Sequence, residues 1–270
     1  MKYKLLVVDV DGTLLDRNGN VSTVDRKAVA EASHSGIKVS LSTGRAPRAC
    51  MEIIDQLSLN GYHIFVDGAI VSDPKQDKEV CVHPLSAEVV EQAVEFAHRN
   101  NLNLELYSLT DYFAERESWS ADAHRQFFGV EPIMVDFNGI WERERIIKGG
   151  LVVTSAEEDA KTRDFCRQFE GRLHFSWART PAFPGVAFIN IIAPEVSKGK
   201  ALEDLVSYLG LSMSEVMAIG DGTNDISLLS TAGLAVAMDN APDEVKAAAD
   251  HITLDVDHGG VAAAVKRFLV

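Results

Sequence analysis

Apolar positions along this chain fall into two rhythms. Short continuous runs rich in Val, Ile and Leu predict strands buried on both faces, over Lys4–Val10, Ile37–Thr43, Ile64–Val66, Val216–Gly220, Leu234–Met238 and His251–Leu254. Between them lie stretches with apolar residues on one helical stripe. These include Thr23–Ser35, closed by Gly36, Lys200–Leu209, Ile226–Ala232 and the Ala-rich Pro242–Ala249. Strand–helix–strand alternation implies a parallel sheet with right-handed crossovers. The middle of the chain breaks this rhythm. Ser86–Asn100 is an amphipathic helix, Leu102–Tyr107 and Tyr112–Glu115 read as a hairpin, and Gly150–Thr154, Ala156–Glu170, Leu173–Trp177 and Ala187–Ile192 as strand, helix, strand and strand. Residues 118–146 give no clear period. The expected fold class is therefore α/β, a doubly wound parallel (Rossmann-like) sheet core with an inserted α+β domain. The core is expected over 1–83 and 193–270, the insert over 84–192.

Four polar segments each follow a core strand, and ligands of open α/β sheets collect at the carboxyl ends of strands. The first is Asp9-Val10-Asp11-Gly12-Thr13. Two carboxylates so close repel, which calls for a cation beside them, and hard oxygen donors at that density suit Mg2+. If strand geometry persists, both point to one side. The second is Ser42-Thr43-Gly44-Arg45, a hydroxyl and free backbone N–H groups at a strand-to-helix junction, suited to phosphate or simply to helix capping. The third is Lys198, in Val196-Ser197-Lys198-Gly199-Lys200, placed before an amphipathic helix where a solvated surface lysine is the plain alternative and Lys200 a competitor. The fourth is Gly220-Asp221-Gly222-Thr223-Asn224-Asp225, whose two glycines and three Asx side chains exceed what a helix cap needs.

Composition narrows the partners. Of 270 residues, 26 are Lys or Arg and 40 are Asp or Glu, a net charge of −14, which argues against broad binding to nucleic acid or anionic lipid. The apolar run Leu5–Val8 is too short for a signal segment, and no stretch reaches the ~20 apolar residues of a membrane span. Cys50, Cys81 and Cys166 form no CxxC pair and no disulfide framework, so reduced thiols and a cytoplasmic location are expected.

The order Asp-x-Asp-Gly-Thr, Thr-Gly-Arg, Lys-Gly and Gly-Asp-Gly-x-Asn-Asp resembles the haloacid dehalogenase superfamily of phosphotransferases. The long insertion between the second and third motifs, and the tail Gly233–Ala249 with Asn240-Ala241, resemble its Cof-type branch, which carries a C2B-type α/β cap. Three positions depart from that branch: Asp67-Gly68-Ala69 where Asn-Gly-Ala is usual, Asp239 where glycine is common, and Ser227-Leu228-Leu229 after the fourth motif. None is expected to touch a residue assigned to chemistry, although Asp67 alters charge near the cap.

The resemblance implies a Mg2+-dependent phosphatase of small phosphorylated metabolites, sugar phosphates in the first place. Asp9 would be the nucleophile that becomes an aspartyl-phosphate, and Asp11 the acid and then the base. Asp9, Asp11 through its carbonyl, Asp221 and Asp225 would surround the metal. Thr43, Gly44, Lys198 and Asn224 would hold phosphoryl oxygens, with Arg45 supporting them or the substrate. The cap would close over the site, with Glu115, His174, Trp177 and Arg179 as candidate leaving-group contacts. A monomer or weak homo-oligomer is expected. The rival readings are a phosphomutase of the phosphomannomutase type and a non-catalytic phosphate-binding module. A dinucleotide enzyme is disfavoured, since no G-x-G-x-x-G opens a helix after a strand.

Overall fold

The computed structural model describes residues 2–128, 130–178 and 185–269. The chain forms two compact units, Met1–Val82 with Ser197–Val270, and His83–Val196.

The first unit opens with β1 (Leu5–Asp9), every residue of which is buried. Helix α1 (Thr23–His34) starts where the Ser22 hydroxyl accepts from the Asp25 N–H. Strand β2 (Lys38–Ser42) leads to α2 (Pro47–Gln56), which begins on a proline, and then to β3 (His63–Phe65), β4 (Ile70–Asp73) and β5 (Lys78–Val82).

The second unit starts with α3 (Ala87–Asn100), followed by β6 (Leu104–Tyr107), β7 (Tyr112–Ala114), α4 (Trp119–Phe128), β8 (Ile133–Met134) and α5 (Ile140–Arg143). It ends with β9 (Lys148–Val153), α6 (Ala156–Gln168), β10 (His174–Ala178) and β11 (Ala187–Ile192). Its sheet runs β10-β11-β9-β6-β7-β8, antiparallel except for the β7–β8 pair. Phe96, Phe165, Phe169 and Phe175 form an edge-to-face aromatic core between α3, α6 and the sheet. Residues 118–146, without a clear period in the sequence, hold two helices and a two-residue strand.

The chain returns to the first unit with α7 (Lys198–Tyr208), β12 (Val216–Gly220), α8 (Ile226–Thr231), β13 (Leu234–Ala237), α9 (Asp243–Ala247), β14 (His251–Ile252) and α10 (Gly260–Phe268). The sheet order is β14-β13-β12-β1-β2-β3-β4-β5. It is parallel from β14 to β3 and antiparallel through β4 and β5, so the expected parallel sheet carries an antiparallel edge. Leu5 and Val7 join Leu202, Leu205, Val206 and Leu228 on the α7–α8 face. By alternation, Leu6 and Val8 turn to the opposite face, where α1 packs on α10. Burial on both faces explains why the core strands read as unbroken apolar runs. Among the described residues no helix is long and apolar enough to cross a membrane.

One buried group ties this fold to pH. His63 is fully buried on β3; its Nδ1 accepts from the Leu41 N–H at 3.1 Å, and its Nε2 has no partner among the described residues. Burial, with Asp73 opposing and Lys75 adding, pushes its pKa down to about 4. The unfolded chain therefore takes up this proton first as pH falls, so stability is lost from about pH 6.5 down to about pH 4, roughly 3 kcal/mol in all. Between pH 7 and 5 this should lower the melting temperature by about 5 °C beyond the change in His63→Gln, whose amide oxygen can still accept from Leu41. Equal drops for both proteins would remove His63 as the cause.

Candidate active site

Strand β1 lies between β12 and β2, and Asp9 stands level with Ser42 while Val8 stands level with Ile219. That register brings three of the four polar segments to neighbouring strand ends, where the strand order reverses around β1. Asp9 is the last residue of its strand and is buried.

Lys198 is not ahead of its helix, as the sequence suggested, but its first residue. The Ser197 hydroxyl caps the helix by accepting from the Lys200 N–H, and Gly199 packs so closely on Ser227 that a side chain there would collide with the Ser227 carbonyl. A cation at the positive end of a helix is unfavourable by itself. It is offset here because Lys198 Nζ donates to Asp9 Oδ1 and to Asp225 Oδ1, both at 2.6 Å, with all three side chains buried. Burial works against the lysine's charge, yet Asp225, Asp9 and Asp67 outweigh it and its pKa rises. The Asp9 carboxyl is pushed well above its ordinary range by burial and by Asp225 and Asp221, with Lys198 opposing. Lys200 instead pairs with Glu203 at the surface.

Carboxylate oxygens of Asp9, Asp221 and Asp225 lie within 4.8 Å of one another. Asp225 Oδ2 accepts the backbone N–H groups of Asp221 and Gly222 at 3.0 and 2.9 Å while Oδ1 takes Lys198. Most of its acceptor positions thus face protein donors. Asp221 accepts from the Thr13 hydroxyl at 2.9 Å and from Asn240 Nδ2 at 3.1 Å. Burial raises its pKa to about 6; Asp225 and Asp11 add to the rise, Thr13 and Lys198 oppose it.

Asp11 departs from the expected arrangement. The strand ends at Asp9, and Gly12, at φ +87°, turns the chain so that the Leu14 and Leu15 N–H groups return to the Val10 carbonyl. Asp9 is buried, whereas the Asp11 side chain is 57% exposed and sits in the fork of Arg45, whose Nε and Nη2 donate at 2.9 and 2.5 Å. The helix-cap reading of Thr43 does not hold, since α2 has Ala46 at its N-cap and no side-chain bond there. The Thr43 Oγ1 instead accepts from the Arg45 N–H at 3.1 Å within the loop, while its O–H remains a donor.

Asp67 contradicts the expectation that no departure meets the chemistry. It is buried, and its Oδ1 accepts from Asn224 Nδ2 at 2.8 Å. A side chain added at Gly44 would lie 3.1 Å from both its oxygens. Asp67 reaches inward because Val66, Asp67 and Gly68 all have positive φ, a turn that sequence periodicity does not show. Thr13 and Asn240 were also missed as site residues. Thr13 was visible as a hydroxyl inside the first motif, Asn240 only through the resemblance of the tail.

In the second unit, Glu115 bonds His98 at 2.7 Å and the Phe137 N–H at 2.8 Å, a structural use. His174 and Trp177 are exposed on β10, with the Arg163 guanidinium 5.2 Å from the Trp177 ring centre; Arg179 lies outside the described residues.

The model of the haloacid dehalogenase-like hydrolase family matches residues 6–265. The chain is 30% identical over 267 residues to the 5-amino-6-(5-phospho-D-ribitylamino)uracil phosphatase YcsE of Bacillus subtilis, covering 99% of this chain and 96% of that one. It is 28% identical over 287 residues to the phosphatase YwpJ of the same organism, covering 98% and 100%. Among solved structures, a haloacid dehalogenase-like hydrolase from Bacteroides thetaiotaomicron superposes with a TM-score of 0.86 at 27% identity, covering 98% of this chain and 99% of that one. A match of that extent, with all four motif segments inside it, shows that the chain belongs to the haloacid dehalogenase-like hydrolase family.

Proposed function

We propose that the protein is a Mg2+-dependent phosphatase of small phosphorylated metabolites that works through an aspartyl-phosphate on Asp9. Family membership makes it a phosphoric monoester hydrolase; the geometry speaks to how. The observation that carries the reading is the gathering of Asp9, Asp221 and Asp225 around a single buried lysine.

Three carboxylates and one ammonium leave an uncompensated negative charge, and all the donors are hard oxygens, which fits Mg2+. We assign Asp9 and Asp221 as its carboxylate ligands, and Asp225 to holding Lys198 and the 221–222 turn. Bound there, Mg2+ would keep Asp9 ionised and neutralise charge on the phosphoryl group. Lys198, the Thr43 O–H, the Gly44 N–H and the Asn224 amide would hold phosphoryl oxygens while Asp9 attacks phosphorus in line. The oxygen of the leaving alcohol takes a proton from Asp11, which then accepts one from the water that hydrolyses the intermediate. The second half suits the Arg45 fork. The first requires Asp11 to rotate out of it, because both its oxygens accept from Arg45. The substrate class we propose is a phosphorylated sugar or polyol. It is supported by three Bacillus subtilis relatives named as phosphatases of a phosphoribityl compound.

Purified protein with Mg2+ should release phosphate from p-nitrophenyl phosphate. Chelation with EDTA should reduce the rate to about 1% or less, and added Mg2+ should restore it. Full activity in EDTA would remove the metal from this reading. Isomerised product without free phosphate from a hexose monophosphate would replace the phosphatase with a mutase.

A further inference from the structure

We propose that Asp67 is a positioning residue of the phosphate cradle: its carboxylate orients Asn224 and weakens the grip on fully ionised phosphate, so that product leaves. This rests on the phosphatase reading above. Asp67 touches the cradle on several sides. Its Oδ1 holds one hydrogen of the Asn224 amide at 2.8 Å, leaving the second for a ligand. Both its oxygens crowd the space over Gly44, and its charge is felt by Lys198. Its own N–H donates to the Thr43 carbonyl at 3.0 Å, and the Val66 N–H to the Arg45 carbonyl at 3.1 Å. Gly68 packs on the backbone at Ser197 and Lys198 so tightly that no side chain fits there. The 66–68 turn therefore ties the second, third and fourth motif segments together, and it brings a buried negative charge to the place meant for an anion.

Two opposed effects follow. Orientation of Asn224 helps any phosphoryl group equally. Repulsion is greatest against the ground state and the free product, whose oxygens carry the most charge, and less against a loose transition state in which charge is spread. Binding lost only in the ground state lowers affinity without lowering kcat.

Asp67→Asn removes the charge, keeps an acceptor for Asn224 and tolerates φ +53°. Titration calorimetry of inorganic phosphate into the Mg2+-loaded protein should show binding tighter by at least about fivefold, with KM for p-nitrophenyl phosphate falling in step and kcat not rising. Asp67→Gly, which also suits that backbone but leaves Asn224 without its acceptor, should gain less. Unchanged or weaker phosphate binding in Asp67→Asn overturns the proposal, as does a higher kcat at constant KM. If Asp67→Asn does not fold, unchanged or weaker binding in Asp67→Gly overturns it. Hydrolysis by the wild type tests the phosphatase reading separately, because phosphate binding is measured without turnover.

Discussion

Asp9→Asn should lower phosphatase turnover by at least about 10⁴-fold while the chain folds and melts no lower than the wild type. The loss is large because no neighbour replaces the group. Asp225 faces Lys198 and two backbone N–H groups, Asp221 faces Thr13 and Asn240, and Asp11 sits in the Arg45 fork. An amide in place of Asp9 offers a poor nucleophile and a weaker metal donor at once. The fold should tolerate the change for an electrostatic reason. Burial, Asp225 and Asp221 all disfavour the ionised Asp9 carboxyl, so a neutral isostere relieves repulsion. Lys198 retains Asp225 at 2.6 Å. Two measurements check this: a thermal melt, and acid-quenched labelling with a phosphorylated substrate, which should trap phosphate on the wild type and none on the variant. Turnover within tenfold of the wild type would place the nucleophile elsewhere.

The parts legible in the sequence were those in which one local signal determines one outcome. Continuous apolar runs gave the core strands because burial on both faces admits little else. The hairpin at β6–β7 and the helix α3 followed from simple periodicity. The antiparallel edge does not show in the sequence because β5 is exposed or half-buried and carries no continuous apolar run, and because both strands follow a turn at Val66–Gly68 whose positive φ values leave no pattern in residue type, Val66 least of all. At the site, residue types were informative and orientations were not. Asp9, Asp221 and Asp225 meet because parallel register aligns the ends of β1 and β12, a property of topology that motif order reports indirectly. Lys198, whose segment follows β11 of the other sheet rather than a core strand, reaches them from the first turn of α7. Asp11 does not follow strand alternation because the strand ends two residues before it, ahead of the turn that Gly12 makes. The sequence does not connect Asp67 with the residues assigned to chemistry, because distance along the chain says nothing about the 66–68 turn. Only the fold brings it to Asn224, 157 positions later.

Lys198→Ala should cut turnover by about 10²–10³-fold, while Lys200→Ala, two residues away, should leave it within about twofold. The two lysines differ in surroundings rather than in type. Lys198 Nζ is buried between Asp9 and Asp225, and its removal leaves two carboxylates facing each other without a cation. Breaking a buried ion pair from one side costs about 3–5 kcal/mol, so this variant should also melt lower. Lys200 lies on the exposed side of the same turn and pairs with Glu203, three residues on, a contact open to solvent and salt. Stability and catalysis separate by a further substitution. Lys198→Met keeps the length of the stem and loses the charge together with its N–H donors, so it should remain as slow as Lys198→Ala wherever both are folded. Added Mg2+ gives a second discrimination. If the ammonium merely balances charge, Mg2+ raised well above the level that saturates the wild type should restore turnover in Lys198→Met. If it holds a phosphoryl oxygen, the melt should recover with Mg2+ and the rate should not. Recovery of both would reduce Lys198 to a counter-ion, and a severe Lys200→Ala with a mild Lys198→Ala would transfer the phosphate contact to the surface lysine.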